Sequence, residues 1–229
     1  MKRVSALGPE LAPEQSERLA DAVKKVDILV NQARAVTRTT LTFIQRHSDG
    51  EASPPPLCRC NAEVRKWLQV VPTLIPDDVI EVQTRYHLAE DEPFLADLNG
   101  VLYVLRNLWT NAKNAFKDVS RLSYRVIFSV SIEELEEAKS SATGATYIVL
   151  RVADNGNGIP PEIRDRIFRN RIDGGSGHGL GSQIIRWVMD SHRGLIRFAT
   201  AEGVGTMIEL CFRHFSLITT AVSRDLTWL

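Results

Sequence analysis

Three stretches concentrate residue types that could hold a phosphorylated ligand. GGSGHGLG, Gly174 to Gly181, puts five glycines into eight residues just before an apolar helical pattern that begins at Leu180. A glycine-rich loop entering a helix exposes backbone N–H groups beside the positive end of the helix dipole, a common cradle for phosphate. NLWTNAKNAF, Asn107 to Phe116, aligns Asn107, Asn111 and Asn114 on one helical face, while Leu98, Val101, Leu105, Leu108, Ala112 and Ala115 form the apolar stripe on another. Asparagine is a poor helix former, so three on one face point to a use for their amides, either capping neighbouring loops or giving magnesium a hard carbonyl oxygen. VADNGNGIP, Val152 to Pro160, runs a strand pattern into an aspartate followed by alternating glycines. It is either a plain strand-ending turn or a carboxylate placed to accept hydrogen bonds from an amine on a flat ring.

Two familiar phosphate loops do not fit. In a G-x-G-x-x-G dinucleotide fingerprint the third glycine would fall on Leu180 or Ser182, depending on register. A P-loop requires a lysine after its last glycine, and no lysine follows Lys139.

The elements that must position these stretches follow from periodicity. Pro13 to about Gln45 lacks internal Pro and Gly and repeats apolar residues at three- and four-residue steps, predicting one long amphipathic helix. Its stripe calls for a helical hairpin or a dimer seam, the alternative being a helix lying along its own domain. HSDGEASPPP, His47 to Pro56, reads as a linker. Beyond it the pattern predicts helices near 61–70, 94–117 and 180–191, and strands near 79–85, 124–132, 147–153, 195–200 and 206–212. The acidic segment EELEEAKSSATG reads as a solvated hairpin excursion. This order gives an α+β sandwich, a mixed sheet with helices on one face, preceded by the long helix.

Bulk properties narrow the function. The 229 residues are 44% hydrophobic, and 28 basic side chains cancel 28 acidic ones, which disfavours nucleic acid as a partner. With no apolar run long enough for a membrane span and no signal-peptide core at the N-terminus, a cytoplasmic protein is expected. Cys58, Cys60 and Cys211 are too few for a structural zinc site and read as small hydrophobes or unpaired thiols.

Taken together and in this order, NLWTNAKNAF resembles the N box, DNGNG the first glycine box and GSGHGLG the second glycine box of the GHKL ATP-binding fold. That fold, of the Bergerat type, is shared by sensor histidine kinases, gyrase-type ATPases, Hsp90 chaperones and MutL proteins. The run IFRNRIDGGSGHGLGSQIIRWVMDSHRGLIRFATAEGVGTMIEL is most similar to the histidine-kinase branch, and the resemblance covers about Leu57 to Phe212. It implies ATP and Mg2+ as ligands, with Asn111 coordinating magnesium and Asn107 beside it on the phosphate side. It further implies that Asp154 reads the adenine amine, supported by Thr206 through water, and that Gly156, Gly158 and Ile159 shape the adenine pocket. Asn114 belongs to the same set, and Gly177, His178, Gly179, Leu180 and Gly181 would form a mobile lid. The implied organisation is a tail and dimerisation-type helix at 1–48, a linker at 49–57, the ATP-binding domain at 58–214 and a C-terminal tail at 215–229.

Departures from the family pattern bear on the reaction. Hydrolysing members carry a glutamate one turn before the magnesium asparagine, and Asn107 stands there instead. An amide cannot serve as general base, so phosphoryl transfer is favoured over hydrolysis. His47, His87, His178, His192 and His214 are followed by Ser, Leu, Gly, Arg and Phe, whereas the family's phosphoacceptor histidine precedes an acidic residue. His47 is better explained by a contact with the helix C-terminus. The acceptor hairpin and a response regulator are therefore implied partners, and the long helix would pair with a copy of itself or with a separate hairpin. Asn114 replaces a frequent lysine or arginine, making Arg169 and Arg171 candidates for balancing phosphate charge. The alternatives are a serine kinase of the anti-sigma-factor type, which the long helix opposes, and a non-catalytic ATP-binding scaffold.

Overall fold

The computed structural model describes residues 13–49, 57–74, 80–117, 123–135, 145–164, 167 and 180–214. The long helix α1 spans Pro13–Asp49, and β1 (Cys58–Arg59) leads into α2 (Asn61–Val70). Then follow β2 (Ile80–Tyr86), β3 (Leu95–Ala96), α3 (Leu98–Asn114), β4 (Tyr124–Leu135) and β5 (Ala145–Asp154). The chain continues through a single turn α4 (Pro161–Arg164), α5 (Leu180–Ser191), β6 (Leu195–Ala201) and β7 (Gly205–Arg213).

Five strands form one mixed sheet in the order β2-β4-β5-β7-β6, with β2 parallel to β4 and the other pairs antiparallel; β1 and β3 make a separate two-stranded ladder. One face carries the helices. Trp67 of α2 and Trp109 of α3 both turn edges or tilted faces to Phe128 of β4, at 5.3 and 6.2 Å between ring centroids. Val101, Val104, Leu105, Ile184, Ile185 and Met189 are fully buried between these helices and the sheet.

The sequence pattern extends the third helix back to Phe94, but the helix starts at Leu98. Asp97 ends the preceding strand and caps α3: its carboxylate accepts from the N–H groups of Asn99 (3.1 Å) and Gly100 (3.2 Å), a cap of about 1 kcal/mol. Phe94 instead enters the core against Phe212, 5.3 Å between centroids. His192, from the turn after α5, holds this junction. Its Nε2 accepts from the Asp97 N–H at 2.8 Å, which leaves the proton on Nδ1 to donate to the Val188 carbonyl at 2.6 Å. The ring is thus a structural clamp between α5 and α3.

In α1, Ala35, Thr39 and Phe43 are buried against the body, and Phe43 meets Trp187 of α5 edge-on at 6.0 Å. Lys66 of α2 also pairs with Asp27 at 2.7 Å. Most of the remaining apolar stripe, including Leu19, Val23, Val26, Leu29 and Ile44, is exposed. The expectation of a helix whose stripe is not covered by its own domain therefore holds over most of its length. Residues 50–56, which complete the expected linker, the segment 136–144, and the side chain of His47 lie outside the described residues. No described helix is long and apolar enough to cross a membrane.

Candidate functional site

The fold brings the NLWTNAKNAF and VADNGNGIP stretches to one cavity of about 400 Å3 between α3, the ends of β5 and β7, and the first turn of α5. Asn107, Asn111 and Asn114 lie on its α3 wall, and Asp154, Gly158, Ile159 and Thr206 face them; Gly181 and Ser182 complete the rim. The floor is apolar, from Leu108, Ala112, Val152 and Ile208. An apolar slot with a few converging polar groups is the usual form of a small-molecule site.

The polar groups are oriented. The Asn111 amide nitrogen donates to the Asn107 carbonyl oxygen at 3.1 Å, so one turn of α3 links the two side chains. With its nitrogen engaged, Asn111 has its carbonyl oxygen left to offer, the hard donor that magnesium takes. That donor set fits a divalent cation bound mainly by phosphate and water. It would not fit an all-protein cage, since no group of three or more His, Cys, Asp or Glu gathers among the described residues.

Asp154 ends β5 in register with Thr206 of β7. Burial pushes its carboxyl above the ordinary aspartate range, and the N–H groups of Gly156 and Thr206 pull the other way by hydrogen bonding to it. The Gly156 N–H lies 2.9 Å from Oδ1. A partly desolvated carboxylate at an apolar slot binds a neutral N–H donor more strongly than one in water would. The Thr206 hydroxyl sits 3.1 Å from that of Thr200.

The turn after Asp154 depends on its glycines. Gly158 has φ +71°, and a Cβ there would strike the Ala201 carbonyl. A Cβ on Gly156 would lie 2.6 Å from that of Ala115 and 2.9 Å from the Asp154 carboxylate. Asn155 ties the turn to β4 by accepting from the Arg125 N–H at 2.6 Å and donating to the Ser123 carbonyl at 3.0 Å. At Gly181 a Cβ would run into the Asn107 amide, which would have to shift. The start of α5, the positive end of its helix dipole, therefore abuts the asparagine pair.

Further residues brace the site from neighbouring strands. The Thr200 hydroxyl accepts from the Ile159 N–H at 2.9 Å and donates to the Gly205 carbonyl at 3.1 Å, bracing the glycine turn from β6. Gly205, at φ +145°, lies where a Cβ would collide with the Asp154 carbonyl. Ile167 also lines the cavity. By contrast, Gly177, His178, Gly179, Arg169 and Arg171 and the side chain of Leu180 lie outside the described residues; the backbone of Leu180 opens α5 as expected.

This combination of a mixed sheet, an asparagine-bearing helix and a strand-end aspartate defines a nucleotide-binding class of α+β sandwich. The family model for histidine kinase-, DNA gyrase B- and HSP90-like ATPases matches residues 96–215, just over half of the chain, and the chain belongs to that family. Among curated relatives, the sensor histidine kinase ZraS of Salmonella typhimurium is 28% identical over 132 residues, covering 57% of this chain and 25% of that protein. A putative NtrY-like sensor histidine kinase of Rickettsia conorii is 25% identical over 124 residues, covering 54% of this chain and 18% of the relative. The chain thus spans a quarter or less of these relatives' lengths.

Solved structures share the fold. Full-length ShkA, determined in complex with AMPPNP, matches at TM-score 0.52 and 19% identity, over 90% of this chain and 41% of that one. The histidine kinase domain of the blue-light activated kinase of Erythrobacter litoralis EL346 matches at 0.50 and 18%, over 82% and 75%. The catalytic domain of the histidine kinase ThkA matches at 0.50 and 20%, over 69% and 94%. The GHKL sandwich is accordingly established for this chain, these relatives are sensor histidine kinases, and the anti-sigma-type alternative is not favoured.

Proposed function

We propose that the chain is the ATP-binding catalytic core of a sensor histidine kinase, delivering the γ-phosphoryl group of ATP to a histidine on a hairpin outside this sequence, for relay to a response regulator. The observation that carries the reading is the hydrogen-bonded Asn107–Asn111 pair facing Asp154 across one cavity, with an amide where a hydrolase needs a carboxylate.

Asp154 would accept the adenine amine, with Gly156, Gly158 and Ile159 forming the wall beside the ring. Asn111 would give its carbonyl oxygen to magnesium, and Asn107 would hold the Asn111 amide in that orientation while facing the phosphates. When bound, magnesium supplies positive charge that offsets the negative charge of the transferring phosphoryl group. The α5 N-terminus adds backbone N–H groups on the phosphate side, and Gly177, His178, Gly179, Leu180 and Gly181 would close over the nucleotide. Neither Asn107 nor Asn111 can take a proton from water, so water in the cavity stays a poor nucleophile and the phosphoryl group waits for a histidine.

We assign the exposed stripe of α1 to helix pairing, with a second copy or with the acceptor hairpin, and divide the chain into helix (to 48), linker (49–57), ATP-binding domain (58–214) and tail (215–229). A relay fed by ATP belongs in the cytoplasm. Incubation with γ-labelled ATP, Mg2+ and a family-matched acceptor hairpin should yield acid-labile, base-stable phosphoprotein. An acid-stable phosphoserine product would overturn the reading in favour of a serine kinase, and tight nucleotide binding with no transfer would reduce the chain to a scaffold.

A further inference from the structure

The central sheet has two faces, and the described helices account for only one. Along β5 the side chains alternate, so that Ile148, Leu150 and Val152 join the helix-facing core while Tyr147, Val149 and Arg151 point the other way. On that outer face the register sets Val149 beside Cys211 and Cys211 beside Leu195. Tyr147, Val149 and Cys211 are 1%, 0% and 0% exposed, and they form a cluster of their own, flanked by Leu135 and Ala145. Neighbouring side chains standing on a bare sheet face keep their tips in water, and a tyrosine ring would keep most of one side there. Three neighbours this deeply buried require a cover. It does not extend along the whole face, because one row further on Arg151 bridges Glu133 and Glu209 and Arg197 reaches Glu209, an ion-pair row that is partly exposed.

None of the described helices supplies that cover, for their aromatic contacts fall on the opposite face, at Phe128 and Phe212. Two segments of the chain start beside the patch. Residues 136–144, EEAKSSATG, join β4 to β5 and contain no large apolar side chain. The other segment follows β7, which ends at Arg213 opposite Tyr147; the His214 N–H then donates to the Thr146 carbonyl, so residue 215 leaves at the edge of the patch. From there FSLITTAVSRDLTWL carries Phe215, Leu217, Ile218, Val222, Leu226, Trp228 and Leu229. Its 15 residues can extend up to about 50 Å, far more than the patch is wide.

We propose that residues 215–229 dock on the outer face of the sheet, over Tyr147, Val149 and Cys211, as an intramolecular cover. This gives the C-terminal segment a binding surface that is no part of the nucleotide cavity: Tyr147 and Asp154 stand near opposite ends of β5.

The chain contains its own reporters. Cys58 is exposed, Cys60 is buried in the main core, and Cys211 is buried in the patch. Alkylation of the full chain with N-ethylmaleimide, followed residue by residue by mass spectrometry, should modify Cys58 quickly and leave Cys60 and Cys211 protected. Truncation after His214 should speed Cys211 modification by at least about tenfold while Cys60 stays protected. Added peptide 215–229 should restore the protection. A full-length Leu217→Ser/Ile218→Ser variant should show the same selective exposure without removal of the tail.

The proposal is overturned if Cys211 stays as protected as Cys60 in both variants, or if it reacts as fast as Cys58 in the unaltered chain. Protection of Cys211 that is lost on dilution would also overturn it, by making a second copy the cover.

Discussion

Helices α1 and α3 show the same apolar periodicity in the sequence and meet opposite fates. In α3, every residue from Gly100 to Leu105 is buried, because the helix lies between the sheet and its neighbours. In α1, Val23 and Val26 remain 60% and 58% exposed, and the side chains it buries against the body, Ala35, Thr39 and Phe43, lie in its C-terminal half. Periodicity identifies the helix and its face, but what covers that face is settled by topology. A covered stripe can carry a rigid site, and an uncovered one is available to another helix.

The sharpest way to break this contrast is to cut both stripes equally. Leu105→Ala, at a fully buried position of α3, should lower unfolding stability by about 2–5 kcal/mol, while Val23→Ala should stay within about 0.5 kcal/mol in dilute monomer, both read by urea titration. Equal losses would mean that α1 is buried as deeply as α3 in solution.

On the polar face of α3 the largest effect belongs to the asparagine pair. Asn111→Ala should cut magnesium-dependent phosphoryl transfer by about 100-fold or more, with nucleotide binding in EDTA little changed. A loss seen equally with and without magnesium would move the metal elsewhere.

Asp154→Asn should weaken ATP by about 10- to 100-fold, the scale of a hydrogen bond to a charged acceptor. Its effect on the ligand-free protein should have the opposite sign. Burial raises the folded-state pKa of Asp154, so its charged form costs stability at neutral pH and that cost is relieved as pH falls through the raised value. The asparagine variant should therefore melt slightly higher without ligand. Unchanged affinity would remove Asp154 from the adenine site.

The smallest effect is in acid. Because an ionised Asp154 is the better acceptor, ATP affinity should hold at neutral pH and fall by a few-fold as pH drops through a range above that of an ordinary aspartate. Calorimetric titration should find the Asp154→Asn variant flat across the same range.

Much of the fold was legible because its signals are local. Strand alternation placed β5 and β7 within two residues, and the pattern starting at Leu180 gave α5 its observed bounds. Phe94 is misleading because its apolar spacing continues the helix pattern, whereas the β1–β3 pairing and the Asp97 cap make the helix start later. The lining of the candidate cavity is legible where spacing groups residues, as in Asn107, Asn111 and Asp154. Thr200 is not, because it braces the Ile159 turn only through the β6–β7 register. No pattern within a single segment encodes which strand will lie beside which.

The central claim is that this cavity transfers a phosphoryl group and does not hydrolyse ATP, and one reaction tests it. The chain, γ-labelled ATP, Mg2+ and an acceptor hairpin are incubated together, and labelled protein and free phosphate are measured from the same sample. The Asn107–Asn111 arrangement predicts label accumulating on a hairpin histidine at least about tenfold faster than phosphate appears in a reaction without hairpin. Rapid phosphate release with or without the hairpin, and no labelled histidine, would contradict it.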